Sequence, residues 1–351
     1  MIYNFETLFI RFIVSSITGR HKQLNGKRLR KSVITKYKDT LHSIVLFESE
    51  LNIDLHICDL KRAGKNLLKS EIKRWEKISA KYAKFLFKRG CYDNYVSSHF
   101  KIIKVFLRYL TVEKLIDCTV IINCFKSVKE QIPIIVLEQK HIVFLTGNEK
   151  FAATLNARFI ATKDIFVAGC FVGLRFGDLM NLRPNNIQCS SGGNYLRVTS
   201  GKTNTETVLK LPDYIITIFN KYKKTGKLLP QISNSQLNKN IKLLCEAAGW
   251  TSVIGKSRNQ EGIPHTILKN GKPYRFCDLI TTHTMRRTAI TNLLLLGVPE
   301  LMVRQISGHA PGSKAFYRYV SFAQQYLDSA IDLVHERMNA LIDAEKTQSK
   351  L

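Results

Sequence analysis

Apolar residues recur at three- and four-residue steps through the first third of the chain, the spacing of helices with one buried face. Ile34, Tyr37, Leu41, Ile44, Val45 and Phe47 predict a helix over about 33–49, with Ser32 placed to cap it. Ile72, Trp75, Ile78, Tyr82, Phe85 and Leu86 predict a second from about Lys69 to Arg89, stopped by Gly90. Val96, Phe100, Ile103, Leu107 and Leu110 predict a third over about Asn94–Glu113, whose other face carries Lys101, Lys104 and Arg108. Residues 1–17 are apolar but hold Glu6 and Arg11 and lack a small-residue cleavage site, so they read as a helix packed on the domain and not as a signal peptide. The periodicity lapses over about 120–135, where Pro133 interrupts, and this places a domain boundary.

Beyond that boundary the pattern mixes helix and strand. Asp164–Leu174 is apolar almost throughout, which predicts a buried helix delivering Arg175 at its end. Tyr195–Thr199 and Thr207–Leu211 predict a hairpin whose polar tip carries Lys202. A helix is expected from Thr284 to Leu296 with Gly297 as its stop, and another from Pro299 to Ile306 before Gly308. Phe322, Leu327, Ile331, Val334, Met338 and Leu341 form the stripe of a last helix over about 321–342, and Ala344–Leu351 is expected to fray. The segment 251–282, with Lys256, Arg258, Gly262, Gly271 and Lys272, is a long excursion that predicts either a DNA-contacting loop or a hairpin extension.

Charge changes the picture more than composition does. The 351 residues include 54 Lys+Arg against 27 Asp+Glu, a formal net charge of +27. Such an excess favours a polyanionic partner through counterion release, and nucleic acid is the commonest. Residues 1–133 carry 26 basic and 12 acidic side chains, so the shorter first part is the denser in positive charge. A membrane-surface protein would need an amphipathic basic helix or a polybasic tail, and neither stands out; the longest apolar run, Ile165–Leu174, is ended by Arg175. Eight cysteines without a CxxC pair or a metal-ligand rhythm read as reduced thiols of a cytoplasmic protein.

Against this background five short elements carry candidate chemistry: Gly173-Leu174-Arg175-Phe176-Gly177-Asp178, the hairpin Lys202, His283-Thr284-Met285-Arg286, Ser307-Gly308-His309, and Tyr319 ten residues after that histidine. Taken singly, each reads first as a surface arginine, a solvated turn lysine, a turn histidine or a packing aromatic. Two arginines, two histidines, a lysine and a tyrosine together suit attack on a phosphodiester. No carboxylate cluster for two catalytic Mg²⁺ ions is evident.

In this order and spacing the elements resemble the tyrosine recombinase (phage integrase) family, and the resemblance extends over most of the chain. It implies a mainly α protein with a small β-sheet. Residues 1–125 would be a helical, SAM-like core-binding domain, 126–135 a linker, 136–345 a mixed α+β catalytic domain and 346–351 a tail. It further implies that Tyr319 attacks the scissile phosphate to leave a 3′-phosphotyrosyl link and a free 5′-hydroxyl. Arg175 and Arg286 would neutralise charge on the nonbridging oxygens, and Lys202 would protonate the leaving oxygen. His283 would assist proton transfer, His309 would hydrogen-bond the phosphate, and Asp178 would buttress the site. The covalent link conserves phosphodiester energy, so neither ATP nor a metal is implied as cofactor. The implied partner is double-stranded DNA, bound as a homotetramer on paired sites, with accessory DNA-bending proteins left open. No membrane partner is implied, and the implied location is cytoplasmic and nucleoid-associated.

One departure concerns the nucleophile. The usual gap from the Gly-His histidine is about one residue shorter, which leaves Tyr317 as a rival. Tyr319 is preferred because Phe316-Tyr317-Arg318-Tyr319-Val320 gives it the family's aromatic–x–basic–Tyr–aliphatic context. An insertion around Pro311-Gly312 would cost little. Two other readings remain open: a type IB topoisomerase-like enzyme with the same tyrosine chemistry, and a non-catalytic binder whose Thr284–Ile306 forms a helix-turn-helix.

Overall fold

A computed structural model describes every residue except 24, 129, 200–205, 311 and 349–351. Two units emerge, Met1–Ile132 with Lys256–Ile267, and Pro133–Gly255 with Leu268–Leu351. The chain is mainly helical with small antiparallel sheets.

In the first unit the apolar stripes become helices α1 (Phe5–Thr18), α2 (Lys31–Leu51), α3 (Lys65–Lys88), α4 (Asp93–Glu113) and the single turn α5 (Thr119–Ile122). A short ribbon pairs β1 (Ile2–Asn4) with β2 (His56–Cys58), Tyr3 opposite Ile57. Asn4 caps α1 by accepting the amide of Thr7 at 2.8 Å. Helix α2 begins at Lys31, one residue before the expected cap, so Ser32 lies inside its first turn. The core is aromatic: Phe5 and Phe9 of α1 meet Phe106 of α4 at ring separations of 5.1 and 4.5 Å, with Trp75 of α3 buried beside them. Each such pair contributes about 0.5–1.5 kcal/mol beyond area burial. Opposite this core, Lys65, Lys69, Lys73, Lys77 and Lys81 stand exposed every four residues along α3, followed by Lys84 and Lys88.

The excursion after residue 251 contains a hairpin, Ser257–Gln260 paired with Ile263–Thr266, which belongs to the first unit although the sequence boundaries set it in the second domain. Its anchors are polar. The buried carboxylate of Glu130 accepts from Arg258 Nε and from the amide of Asn259, both at 2.8 Å. Asp93 accepts the amide of Gly262 at 3.0 Å, and Gln260 donates to the carbonyl of Phe87 at 2.7 Å.

The second unit is built around α8 (Ala157–Val172), preceded by α6 (Gln139–Gly147) and α7 (Glu149–Ala153) and followed by the short α9 (Phe176–Met180). Asn156 caps α8 by accepting from the amide of Phe159 at 3.0 Å. A three-stranded antiparallel sheet follows, β3 (Ile187–Ser190), β4 (Gly193–Thr199) and β5 (Glu206–Lys210), with buried Leu196 opposite buried Leu209. Then come α10 (Asp213–Tyr222), α11 (Asn234–Ala247), α12 (Phe276–Leu279), α13 (Thr282–Leu295), α14 (Glu300–Ile306) and α15 (Lys314–Gln348). Helix α13 crosses α8 so closely that a Cβ at Gly169 would lie 2.6 Å from the sulfur of Met285. The buried carboxylate of Asp164 ties α8 to α10, accepting from the Tyr222 hydroxyl at 2.8 Å and from Lys221 at 3.1 Å.

Two helices that carry candidate residues differ from expectation. Helix α13 starts two residues before Thr284, with Thr281 as its N-cap and the amide of Thr281 donating to Thr284 Oγ1. Helix α15 starts at Lys314 and not near Ser321, so Tyr317 and Tyr319 sit on a helix, not in a loop. Among the described residues no helix is long and apolar enough to cross a membrane.

Candidate active site

Helix α8 ends at Gly173, whose left-handed φ of 68° turns the chain away. An L side chain there would be strained in backbone and would set its Cβ 3.1 Å from that of Ala289. The turn brings Arg175 to the N-cap of α9 and leaves the carbonyl of Gly173 free to accept.

That carbonyl is taken by Arg286 of α13, whose Nη1 donates at 2.9 Å while Nη2 donates to the carbonyl of Ser307. Arg175 Nη2 lies 3.4 Å from the carbonyl of Gly308. Both guanidinium groups are thus held by carbonyls at helix ends, where backbone dipoles favour positive charge. Arg286 is 3% exposed. Burial, then the nearby charge of Arg175, brings its pKa down to about 10, opposed by Tyr319 and Asp178.

His309 follows the end of α14. Its Nδ1 is 2.8 Å from Ser307 Oγ, and both ring nitrogens are 3.4 Å from Arg286 Nη2. Its ring lies beside Phe316 and Tyr319, with centroids 5.5 and 6.0 Å away. Burial and the charges of Arg286 and Arg175 lower its pKa to about 4. His283 keeps an open face to solvent, yet desolvation and then Arg287, Arg286 and Arg175 lower its pKa to about 4 as well. Both imidazoles are therefore neutral near pH 7 in the free protein.

Tyr319 is buried with Ile290, Val303 and Phe316, whereas Tyr317 is 49% exposed. Arg175, Arg286, His309 and Tyr319 thus meet in one place, and Asp178 and His283 lie near enough to influence it electrostatically. Lys202 lies outside the described residues. The strand leading away from it is fastened to the site, because Thr207 Oγ1 donates to the carbonyl of Ile306 at 3.0 Å.

Two residues beside the candidates are given no role by the sequence. Ser307 bonds to His309, and Arg287, four residues after His283 on the same helix, has a buried Nε with no hydrogen-bond partner. Helical spacing could have flagged Arg287; nothing in the sequence distinguishes Ser307 from any serine before a Gly-His. Among the described residues no three His, Cys, Asp or Glu side chains gather as metal ligands.

Residues 166–325 match the phage integrase family model. The tyrosine recombinase XerD of Staphylococcus epidermidis is 28% identical over 153 residues, 43% of this chain and 48% of that protein. XerD of Staphylococcus aureus is 27% identical over the same length. The chain therefore spans about half the length of these curated relatives. Among solved structures, a lambda integrase dimer bound to a COC′ core site shares the fold with a TM-score of 0.59 and 13% identity, over 91% of this chain and 77% of that one. XerH bound to a palindromic difH substrate, a post-cleavage complex, does so with a TM-score of 0.57 and 14% identity, over 89% and 81%. Residues 166–325 therefore carry a phage integrase family domain, similar in sequence to the XerD recombinases, on a fold that agrees with the lambda integrase structure.

Proposed function

We propose that this protein is a site-specific DNA recombinase that cuts and rejoins DNA through a covalent tyrosine link. The observation that carries the reading is the convergence of two carbonyl-held arginines, a neutral histidine and a buried tyrosine in one site. Arginine forks bind nonbridging phosphate oxygens in pairs, and donors preset around developing charge usually contribute most to such catalysis. In the step envisaged, Tyr319 Oη bonds to phosphorus while the bond to the 5′ oxygen breaks. The phenol proton passes to a neutral imidazole, and the leaving oxygen takes a proton from Lys202. His283 assists proton transfer, His309 holds a phosphate oxygen, and Asp178 tempers the charge of Arg286.

The lysine stripe of α3 and the basic face of α4 supply backbone contacts for the duplex. The distal part of α15 leaves Ile331, Val334, Met338 and Leu341 at 50–67% exposure, which supports assembly into a homotetramer on paired sites. Strand exchange of this kind serves integration, excision or inversion of a DNA element.

The test uses a nicked duplex carrying the DNA that flanks the protein's own gene, incubated without nucleotide and run on a denaturing gel. A protein–DNA adduct in the wild type that disappears in Tyr319→Phe supports the reading. A mobility shift without an adduct leaves a binder. Supercoil relaxation by a monomer with no need for paired sites points to a topoisomerase.

A further inference from the structure

The first amides of any helix find no carbonyl within it and must be satisfied from outside. In α13 the amide of Thr281 donates to Thr284 Oγ1 at 3.0 Å, a bond within the turn itself. The next amide, that of Thr282 beside His283, reaches another helix: it donates to Asn238 Oδ1 of α11 at 2.8 Å. The Thr282 hydroxyl donates to Asn234 Oδ1, also at 2.8 Å. Asn238 closes the set by donating Nδ2 to the carbonyl of Asn234 at 2.9 Å and to its Oδ1 at 3.2 Å. A backbone amide only donates and a backbone carbonyl only accepts, so Asn238 must turn its oxygen to Thr282 and its nitrogen to Asn234. The two asparagines stand one helical turn apart, on the same face of α11. Thr282 is 8% exposed, so water competes little for these bonds. His283 keeps an open face to solvent, so packing constrains its ring less than the backbone it grows from.

We propose that Asn238 is a positioning residue of this site: braced by Asn234, it pins the first turn of α13 to α11 and so sets where the imidazole of His283 stands. This rests on the recombinase reading for what His283 does, and on the hydrogen bonds for where it is held. Proton transfer requires its two heavy atoms within about 2.6–3.2 Å of each other. A misplacement of about 1 Å can slow a reaction by about 10², even when its cause lies away from the chemistry. Asn238 therefore acts on the reaction through His283 and touches no reacting atom.

The first test needs no DNA. In protein labelled with ¹⁵N-histidine, the ring signal lost in His283→Gln identifies His283, and NMR follows its titration. Burial, then the charges of Arg287, Arg286 and Arg175, hold its pKa at about 4. In Asn238→Leu the released turn should let water reach the ring, and the midpoint should rise toward the ~6.5 of a free histidine. The midpoint of His99, on α4, should stay where it is. A His283 midpoint unchanged in Asn238→Leu overturns the placement, and Asn238→Ala gives the same comparison should the leucine variant not fold.

The second test measures adduct formation at saturating nicked duplex. Asn238→Leu should slow it about tenfold with DNA affinity unchanged, as loss of one partly buried hydrogen bond would. His283→Ala should slow it by about 10². In a His283→Ala background, Asn238→Leu should add less than about twofold, because residues that act as one unit are not additive. Full additivity would mean that Asn238 supports the fold and not His283, and overturns the proposal. A wild type that forms no adduct would refute the recombinase reading and leave the placement to be judged by the titration.

Discussion

Residues 1–133 and 134–351 carry similar net charges, +14 and +13, and dispose of them in opposite ways. On α3 the charge is spread along a stripe of solvated lysines, each free to move and each screened by salt. Around α13 it is condensed into Arg286, which is buried and fixed by two backbone carbonyls. The first arrangement suits holding a long polyanion whatever its sequence. The second suits stabilising charge at one point, where preset groups need no reorganisation. If this contrast is correct, changes in the two regions should fail differently.

The sharpest break is at the nucleophile. Tyr319→Phe should abolish covalent adducts on a nicked duplex and leave DNA affinity unchanged, while Tyr317→Phe should form adducts normally. The reverse pattern would move the nucleophile to Tyr317, despite the burial of Tyr319 beside His309. Next in size is Arg286→Lys. Lysine keeps the charge but cannot span Gly173, Ser307 and a phosphate with one planar fork. Adduct formation should fall by about 10²–10³, as for loss of one preset donor, with thermal stability reduced because two carbonyls lose partners. A rate within a few-fold of wild type would mean that Arg286 is architectural only.

These variants could be chosen from sequence because the relevant information is local. A buried helix announces itself by an unbroken apolar run, and the motif residues lie at its end or within one helical turn of each other. What escaped notice is mostly non-local. The ribbon pairs Ile2 with Cys58, and the hairpin at 257–266 is anchored by Glu130; no periodicity connects such distant positions. The early start of α15 reflects Phe316 and Tyr319 turning into a small core with Ile290 and Val303, partners that only the folded chain supplies. Helix α10 was legible and overlooked: Ile215, Ile218 and Phe219 follow Pro212 at helical spacing. Ser307 lies in the Ser-Gly-His motif, but its bond to His309 is set by the fold.

A pair of histidines sharpens the comparison at the next level. His99 of α4 and His309 both have pKa values near 4, with burial the largest cause in each and neighbouring charges of opposite effect. His99 is 4% exposed, bonded through Nδ1 to the Tyr82 hydroxyl at 2.8 Å, and lowered by burial against a partial counter-effect from Asp39. His309 is lowered by burial and by two arginines. For His99 the folded pKa lies below the unfolded value near ~6.5, so its stabilising contribution is complete above that pH. It is lost as pH falls from there through about 4, to the extent of about 3 kcal/mol. Fluorescence of Trp75, read alone in a Trp250→Phe background, should show the first unit becoming easier to denature in urea across that window. His99→Gln should flatten the dependence. Inorganic phosphate should raise the pKa of His309 by neutralising its arginine neighbours and leave that of His99 where it is; equal responses would erase the distinction between the two regions.

The smallest expected effect lies on the lysine stripe. Replacing one of Lys69, Lys73 or Lys77 by Gln removes a single phosphate contact, so the slope of log affinity against log salt should fall by roughly 0.9. Affinity near 0.1 M salt should drop only about threefold, equally for cognate and unrelated duplexes, because backbone contacts carry no base information. Adduct formation at saturating DNA should not change, since in the proposed reading the lysines hold backbone while the chemistry rests on the arginines and Tyr319. The same measurements on Arg286→Gln should show a salt slope lowered by a similar single contact, but with a large loss of cleavage. A lysine variant that slowed cleavage at saturation would mean that the stripe also positions the scissile phosphate, and the division between holding and reacting would have to be redrawn.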